Sequence, residues 1–314
     1  MRASLPPRLG ELVLQQRTIA EQVGCKGIGL HSGETAEVRL LPAAVGTGVV
    51  FVCQQADGVV EIPARHEFVS ATANATSLAR EGASVATVEH LLAAVCARRV
   101  DNLRIEVDGP EIPAMDGSAA AFDSLIRTAG VSDQHQPRQL LVILRPVSFS
   151  DGPRSIRIEP APVLRISYRI EFAHPAIGRQ ALEIQELTPA RFETEVAAAR
   201  TFGFLDQVEA LRRAGLARGA SLENTIVLDD SGVMNEGGPR RPDDFVRHKV
   251  LDLLGDLALI GHPIRGHVRV ERGGHGIHHA LLRELSEHPD AWQLLSGEPP
   301  GPQAAIAAEI ASPR

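Results

Sequence analysis

An α+β fold built from two units of similar plan is what this sequence predicts. Short β-like runs precede helical runs in the first half, and the same order restarts in the second. A polar stretch without apolar periodicity, 129–138, lies between them and supplies Gly130, Asp133, His135 and Pro137 as turn formers. With 314 residues, of which 44% are hydrophobic, the chain is long enough for about two domains with a core in each. The expected division is an N-terminal extension at 1–15, a first domain at 16–130, a linker at 131–138, a second domain at 139–298 and a flexible Ala- and Pro-rich tail at 299–314.

Strands are expected at 18–23, 36–41, 49–52, 59–63 and 103–107, where β-branched and apolar residues recur between turn signals. A helix at 89–95 falls between the last two. A second helix is expected at 118–128, because Ala120, Phe122, Leu125 and Ile126 fall near helical spacing. Beyond the linker, strands are expected at 140–149, 155–159 and 164–172, and helices at 189–199, 206–217 and 243–260. No sequence repeat strong enough to prove duplication accompanies this parallel order.

Composition excludes several classes of function. A net charge of −7 leaves no basic footprint for nucleic acid and no polybasic membrane anchor. No apolar run reaches the roughly 18 residues of a membrane span, and the start of the chain, with Pro6 and Pro7, lacks a signal-peptide core, so a cytoplasmic protein without a transmembrane segment is expected. Cys25, Cys53 and Cys96 are scattered and odd in number, which suits incidental thiols better than a disulfide framework or a thiolate metal site.

The chemistry concentrates in the helix expected at 243–260. There His248, Asp252 and Asp256 recur every four residues and share one face, while Val250, Leu251, Leu253 and Leu254 supply apolar flanks. A His and an Asp one turn apart can grip one metal ion, or can simply form a solvated helix pair. Catalytic zinc commonly takes three protein ligands and a water, and the run from Thr87 to Val95 offers a third ligand in His90, with Glu89 beside it. A carboxylate next to a ligating histidine suits metal-assisted hydrolysis, because the metal acidifies its water and the carboxylate takes the proton.

Two further segments carry groups of interest. In 271–279 three glycines surround His275, which places an imidazole at the edge of a cleft and favours a proton donor; the plainer alternative is that His275, His278 and His279 form a polar turn. In 200–204, Thr201 can donate to a developing oxyanion and a phenyl ring can pack on a sugar face, or the segment is only a strand end.

These segments, in this order, resemble the UDP-3-O-acyl-N-acetylglucosamine deacetylase family, zinc amidases of lipid A synthesis in Gram-negative bacteria. The likeness runs from Gln16 to about Leu285. It includes Gly27-Ile28-Gly29-Leu30-His31-Ser32-Gly33, the segment from Thr87 to Ala94, Asp101-Asn102, the segment from Pro110 to Ser118, and the segment from Arg200 to Phe204. It continues through the segment from Val227 to Asp230, Asn235-Glu236, the segment from Phe245 to Asp256, and Gly273-Gly274-His275.

The resemblance implies two similar two-layer α/β-sandwich domains packed face to face with the site between them, and a βαβ insert in the second at about 205–228. It implies Zn2+ as cofactor, held by His90, His248 and Asp252; Fe2+ accepts the same ligands. Glu89 matches the general base, His275 the group that protonates the leaving amine or stabilises the oxyanion, and Asp256 the carboxylate orienting it. Lys249 and Thr201 match groups that bind substrate and polarise the carbonyl. Phe202 matches an aromatic beside the glucosamine, and Phe172 a ring that stacks on uracil. Val208, Leu211, Leu216, Ala220, Leu222 and Val227 would line or support an acyl passage.

The implied partner is a UDP-linked, acylated N-acetylglucosamine, and the implied state a monomer. Asn74 departs from the family, which often places a small thiol or hydroxyl there, and the N-terminal segment is longer than a minimal family start. Two rival readings are a zinc amidase for another acylated sugar or a peptide, and a non-catalytic metal-stabilised module. The second has no use for Glu89 and His275 beside three ligands.

Overall fold

The structure, a computed structural model, describes residues 15–55 and 58–296. The tail at 299–314 and all but the last residue of the N-terminal extension lie outside the described residues. The chain is α+β, and two five-stranded sheets dominate it.

The first sheet runs, in spatial order, Val23–Ile28, Thr35–Pro42, Leu103–Asp108, Val49–Gln55 and Gly58–Pro63. The second runs Val147–Asp151, Arg154–Glu159, His267–Glu271, Arg165–Glu171 and Arg179–Ile184. In both, the strand that comes last in sequence sits in the middle, antiparallel to one hairpin and parallel to the other. Alternating burial follows the pleat: Ala36, Val38 and Leu40 point inward from one central strand, and Ile166, Tyr168 and Ile170 from another.

Helices enter at matching points. Helix α1 (Glu89–Ala97) precedes the middle strand of the first sheet and α2 (Ala120–Ala129) follows it. Between them and the next long helix lie α3 (Pro189–Arg191), which runs into a π turn at Phe192–Val196, and α4 (Leu205–Arg213). Helix α5 (Asp244–Ala258) precedes the middle strand of the second sheet and α6 (His275–Glu287) follows it. The topology therefore repeats although the sequence gives no visible repeat.

Helices α1 and α5 pack on each other, and Gly255 permits the approach. A Cβ at that position would collide with the carbonyl oxygen of Glu89. Phe202–Phe204 and Ile226–Asp229 are parallel with α4 between them, which is the βαβ arrangement that the resemblance implies.

Several sequence expectations need correction. The expected strand at 18–23 straddles a turn between Gln15–Ile19 and Val23–Ile28. The expected strand at 140–149 is two strands in different sheets, Gln139–Ile143 and Val147–Asp151, divided at Leu144-Arg145-Pro146. The stretch read as a linker contains a strand, Val131–Pro137, paired with Gln15–Ile19; it is mostly exposed, so it carries no apolar alternation. The helix expected at 189–199 is one α turn and a π turn, and α4 stops at Arg213 rather than Ala217. The three-stranded sheet of Val69–Ala71, Ser77–Arg80 and Ala83–Val85, the strand Arg179–Ile184 and helix α6 were not anticipated.

Candidate metal centre and proton-transfer site

His90 is the second residue of α1, and His248 and Asp252 lie one turn apart on α5. All three are buried, and one ligand atom of each lies within 4.8 Å of the others. His90 Nε2 is 3.5 Å and His248 Nε2 is 3.3 Å from the same Asp252 oxygen, Oδ1. Ligand bonds of about 2.0–2.1 Å in a tetrahedron put donor atoms roughly 3.3–3.4 Å apart, so the spacing fits zinc. The tautomer fits as well. His248 Nδ1 donates to the carbonyl of Ala199 at 3.2 Å, which leaves the Nε2 lone pair facing the other two donors. Burial pushes the His248 pKa down to about 3 against the pull of Asp252, so this imidazole is neutral, as a ligand must be.

Glu89 opens α1 beside His90 and is buried, and burial raises its pKa. Its Oε2 accepts from the backbone N–H of Thr76 at 3.1 Å, and its Oε1 lies 3.7 Å from His275 Nε2. His275 is the first residue of α6. Gly273, two residues before it, has no room for a side chain: a Cβ would meet the Val270 side chain and the Tyr168 hydroxyl. The glycines therefore do bring the imidazole to the cleft, but the histidines that follow are not the polar turn weighed from sequence. His278 and His279 are buried on α6 and face Asp256.

Asp256 Oδ2 accepts from His275 Nδ1 at 2.7 Å and from His278 Nδ1 at 2.8 Å, and Oδ1 accepts from the Thr76 hydroxyl at 2.6 Å. Burial opposes ionisation of Asp256, yet the His275 charge and the hydrogen bonds from His275, His278 and His279 hold its carboxyl well below the usual range. Burial likewise opposes the His275 cation, but the Asp256 charge and hydrogen bond outweigh it and raise its pKa to about 10.

His90, His248, Asp252, Glu89 and His275 open onto a cavity of about 1050 Å³ whose walls also include Thr201, Phe172 and Phe202. Lys249 Nζ donates to Asp252 Oδ2 at 2.9 Å and lies 5.4 Å from the centre of the Phe202 ring. Phe202 meets the edge of Phe172 with centroids 5.6 Å apart, so one aromatic row leads away from the ligands. On the insert, Val208, Leu211, Ala220, Leu222 and Val227 line the cavity. Leu216 does not. Helix α4 has already ended at Arg213, so Leu216 lies beyond it and the neighbouring Ala217 takes the wall position.

Thr76, Tyr168, His278 and His279 were missed as members of this site. The spacing of His275, His278 and His279 would have revealed one helical face had 275–279 been read as a helix. Thr76 sits in a loop with no sequence signal.

The family described as UDP-3-O-acyl N-acetylglycosamine deacetylase matches residues 16–287. This chain belongs to that family. Similar proteins include the UDP-3-O-acyl-N-acetylglucosamine deacetylase of Nitratidesulfovibrio vulgaris, 50% identical over 275 residues, 88% of this chain and 89% of the relative. That of Oleidesulfovibrio alaskensis is 49% identical over 279 residues, 89% of this chain and 91% of the relative. That of Myxococcus xanthus is 46% identical over 280 residues, 89% of each. Among the described residues, no helix is long and apolar enough to cross a membrane.

Proposed function

We propose that this protein hydrolyses the N-acetyl amide of UDP-3-O-acyl-N-acetylglucosamine, releasing acetate and the free amine, the committed step of lipid A biosynthesis. The observation that carries this reading is the convergence of three buried metal-ligand side chains with a carboxylate and a cationic imidazole on one large cavity. Membership of the deacetylase family supplies the substrate.

His90, His248 and Asp252 would hold zinc, which when bound acidifies water and polarises the acetyl carbonyl. Fe2+ suits the same donors. Glu89, held by the Thr76 N–H, takes the proton of the attacking water; its burial makes it a stronger base than an exposed carboxylate. Thr201 and Lys249, both on the cavity wall, would meet the substrate carbonyl and its developing charge. His275, protonated and oriented by Asp256, delivers a proton to the glucosamine nitrogen as the C–N bond breaks. Phe172 offers its face to the uracil and Phe202 to the sugar, while the insert wall receives the acyl chain.

The test is metal analysis of the purified protein together with acetate release from the UDP-linked substrate. Stoichiometric zinc and metal-dependent turnover are expected. A protein that binds metal but releases no acetate from this substrate would overturn the reading, and turnover with analogues lacking uridine or the acyl chain would redirect it to another amide.

A further inference from the structure

Behind His275 lies a buried chain of polar groups that the proposed reaction does not use directly. His278 touches Asp256 with Nδ1 at 2.8 Å and the Tyr168 hydroxyl with Nε2 at 2.9 Å. Tyr168 and His278 are both fully buried, one on the second sheet and the other on α6. Thr76 reaches the same carboxylate from the other side, with its hydroxyl on Asp256 Oδ1 and 3.0 Å from His279 Nε2.

The proton inventory of this cluster follows from valence. An ionised carboxylate only accepts, so His275 and His278 must each present Nδ1–H to Asp256 Oδ2 and Thr76 must present its O–H to Oδ1. Thr76 has then spent its only hydrogen, so His279 must donate Nε2–H to the Thr76 oxygen. A neutral His278 carrying its proton on Nδ1 has a bare Nε2, and the partner there must be a donor. The Tyr168 hydroxyl is that donor. Burial raises the Tyr168 pKa well above its usual value and lowers that of His278, so the phenol keeps its hydrogen and the imidazole stays neutral.

From this geometry we infer that Tyr168 and His278 are positioning residues for the reaction: the Tyr168 hydroxyl satisfies the bare Nε2 of the Nδ1–H tautomer and pins the ring from its far side, and the Nδ1–H so held fixes the Asp256 carboxylate that orients His275. The inference rests on the proposed deacetylation only for its catalytic consequence. The tautomer assignment stands on the hydrogen bonds alone. Without the phenol hydroxyl, the bare buried Nε2 of His278 loses its donor, and the ring is held only from the Asp256 side and can turn its Nδ1–H away from Oδ2. Asp256 would lose one of the two N–H groups on Oδ2 and with it part of its fixed orientation.

Three variants of the zinc-loaded enzyme separate positioning from packing. His278→Leu removes both bonds, Tyr168→Phe removes only the hydroxyl, and His278→Asn retains an amide N–H where Nδ1 stood. Loss of partners that orient a functional group commonly costs about 10–100-fold in activity. His278→Leu should lose about that much in kcat with KM and zinc content unchanged, Tyr168→Phe should lose less, and His278→Asn should recover most of the loss. A packing role alone would instead lower the thermal midpoint in all three and leave kcat unchanged.

The second measurement is 15N NMR of histidine-labelled wild-type protein, with and without Tyr168→Phe. The imidazole whose signals vanish in His278→Asn should be protonated on Nδ1 and bare on Nε2, with an Nε2 signal that shifts when the hydroxyl is removed. An Nε2–H tautomer at His278 in the wild type, or His278→Asn as damaging as His278→Leu, would overturn the inference. Absence of deacetylation in the wild type would sink the proposed function while the NMR result still decided the tautomer.

Discussion

At the residue scale, the proposed ligands and the proposed base should separate on metal content. His248→Ala or Asp252→Ala leaves two protein donors, too few to hold zinc against water, so metal and turnover should vanish together. Glu89→Ala touches no ligand atom; it should keep its zinc and lose about 10²–10⁴-fold in turnover, the usual worth of a positioned base. Near-stoichiometric zinc in the Asp252→Ala protein would remove that residue from the ligand set. The pH profile tests the other pair. Turnover needs Glu89 ionised and His275 protonated, so it should rise with pH through a Glu89 value above the ordinary carboxylate range and fall through His275 at about 10. Asp256→Asn removes the charge that raises His275, so the descending limb should move to lower pH, and His275→Gln should abolish it. Stability should follow the same sign: the contribution of His275, raised from 6.5 to about 10, is fully present below 6.5 and is lost as pH climbs through 10. An unmoved descending limb in Asp256→Asn would assign that limb to another group.

At the element scale, the site depends on how closely α1 and α5 approach. Gly255 lies between Asp252 and Asp256 on α5, and its missing side chain is what lets the Glu89 backbone sit against it. Gly255→Ala raises helix propensity by about 1 kcal/mol in isolation, yet here it should destabilise the protein and weaken zinc binding, because His90 would be pushed from His248 and Asp252. A raised thermal midpoint with unchanged zinc affinity would show that the helices yield at no cost. The two helices were also the part of the fold most legible in the sequence, because apolar flanks at helical spacing mark them whatever surrounds them. The shared face of His248 and Asp252, the proposed ligands on α5, was legible with them, since four-residue spacing fixes a common face. Helix α6 was not: its first turn buries His275, His278 and His279, and Gly273-Gly274 before it drew the segment toward a loop, although Ile277, Leu281 and Leu285 recur further along at helical spacing. The strand Val131–Pro137 failed for the opposite reason. It pairs through its backbone with both faces largely in solvent, so nothing in its side chains records the pairing. Thr76 became legible only when the fold closed around it, because its partners Asp256 and His279 lie 180 and 203 residues away.

At the scale of the whole molecule, the insert is anchored to the first half as well as to its own sheet. Arg218 and Gly219 donate backbone N–H groups to the carbonyls of His31 and Leu30, both at 3.1 Å, and a Cβ on Gly219 would strike the Gly29 carbonyl. The loop from Gly29 to Gly33 is held in turn by Glu111, which accepts from the N–H of His31 at 2.9 Å and of Ser32 at 2.7 Å. Ala220, next to that clasp, and Val227, on the following strand, therefore form a wall with little freedom to retreat. A rigid apolar wall is of no use to an acetyl group, but each methylene of a longer chain buried against it contributes about 0.8 kcal/mol. Shortening the substrate's acyl chain to a few carbons should thus lower kcat/KM by orders of magnitude with the pH profile unchanged. Ala220→Phe or Val227→Trp places a ring where the chain would lie, and the clasp prevents the wall from shifting outward to make room. Both variants should depress kcat/KM for the long-chain substrate much more than for the short one, at unchanged zinc content. Equal losses on the two substrates would mean that the insert only covers the site and that the acyl chain binds against another wall.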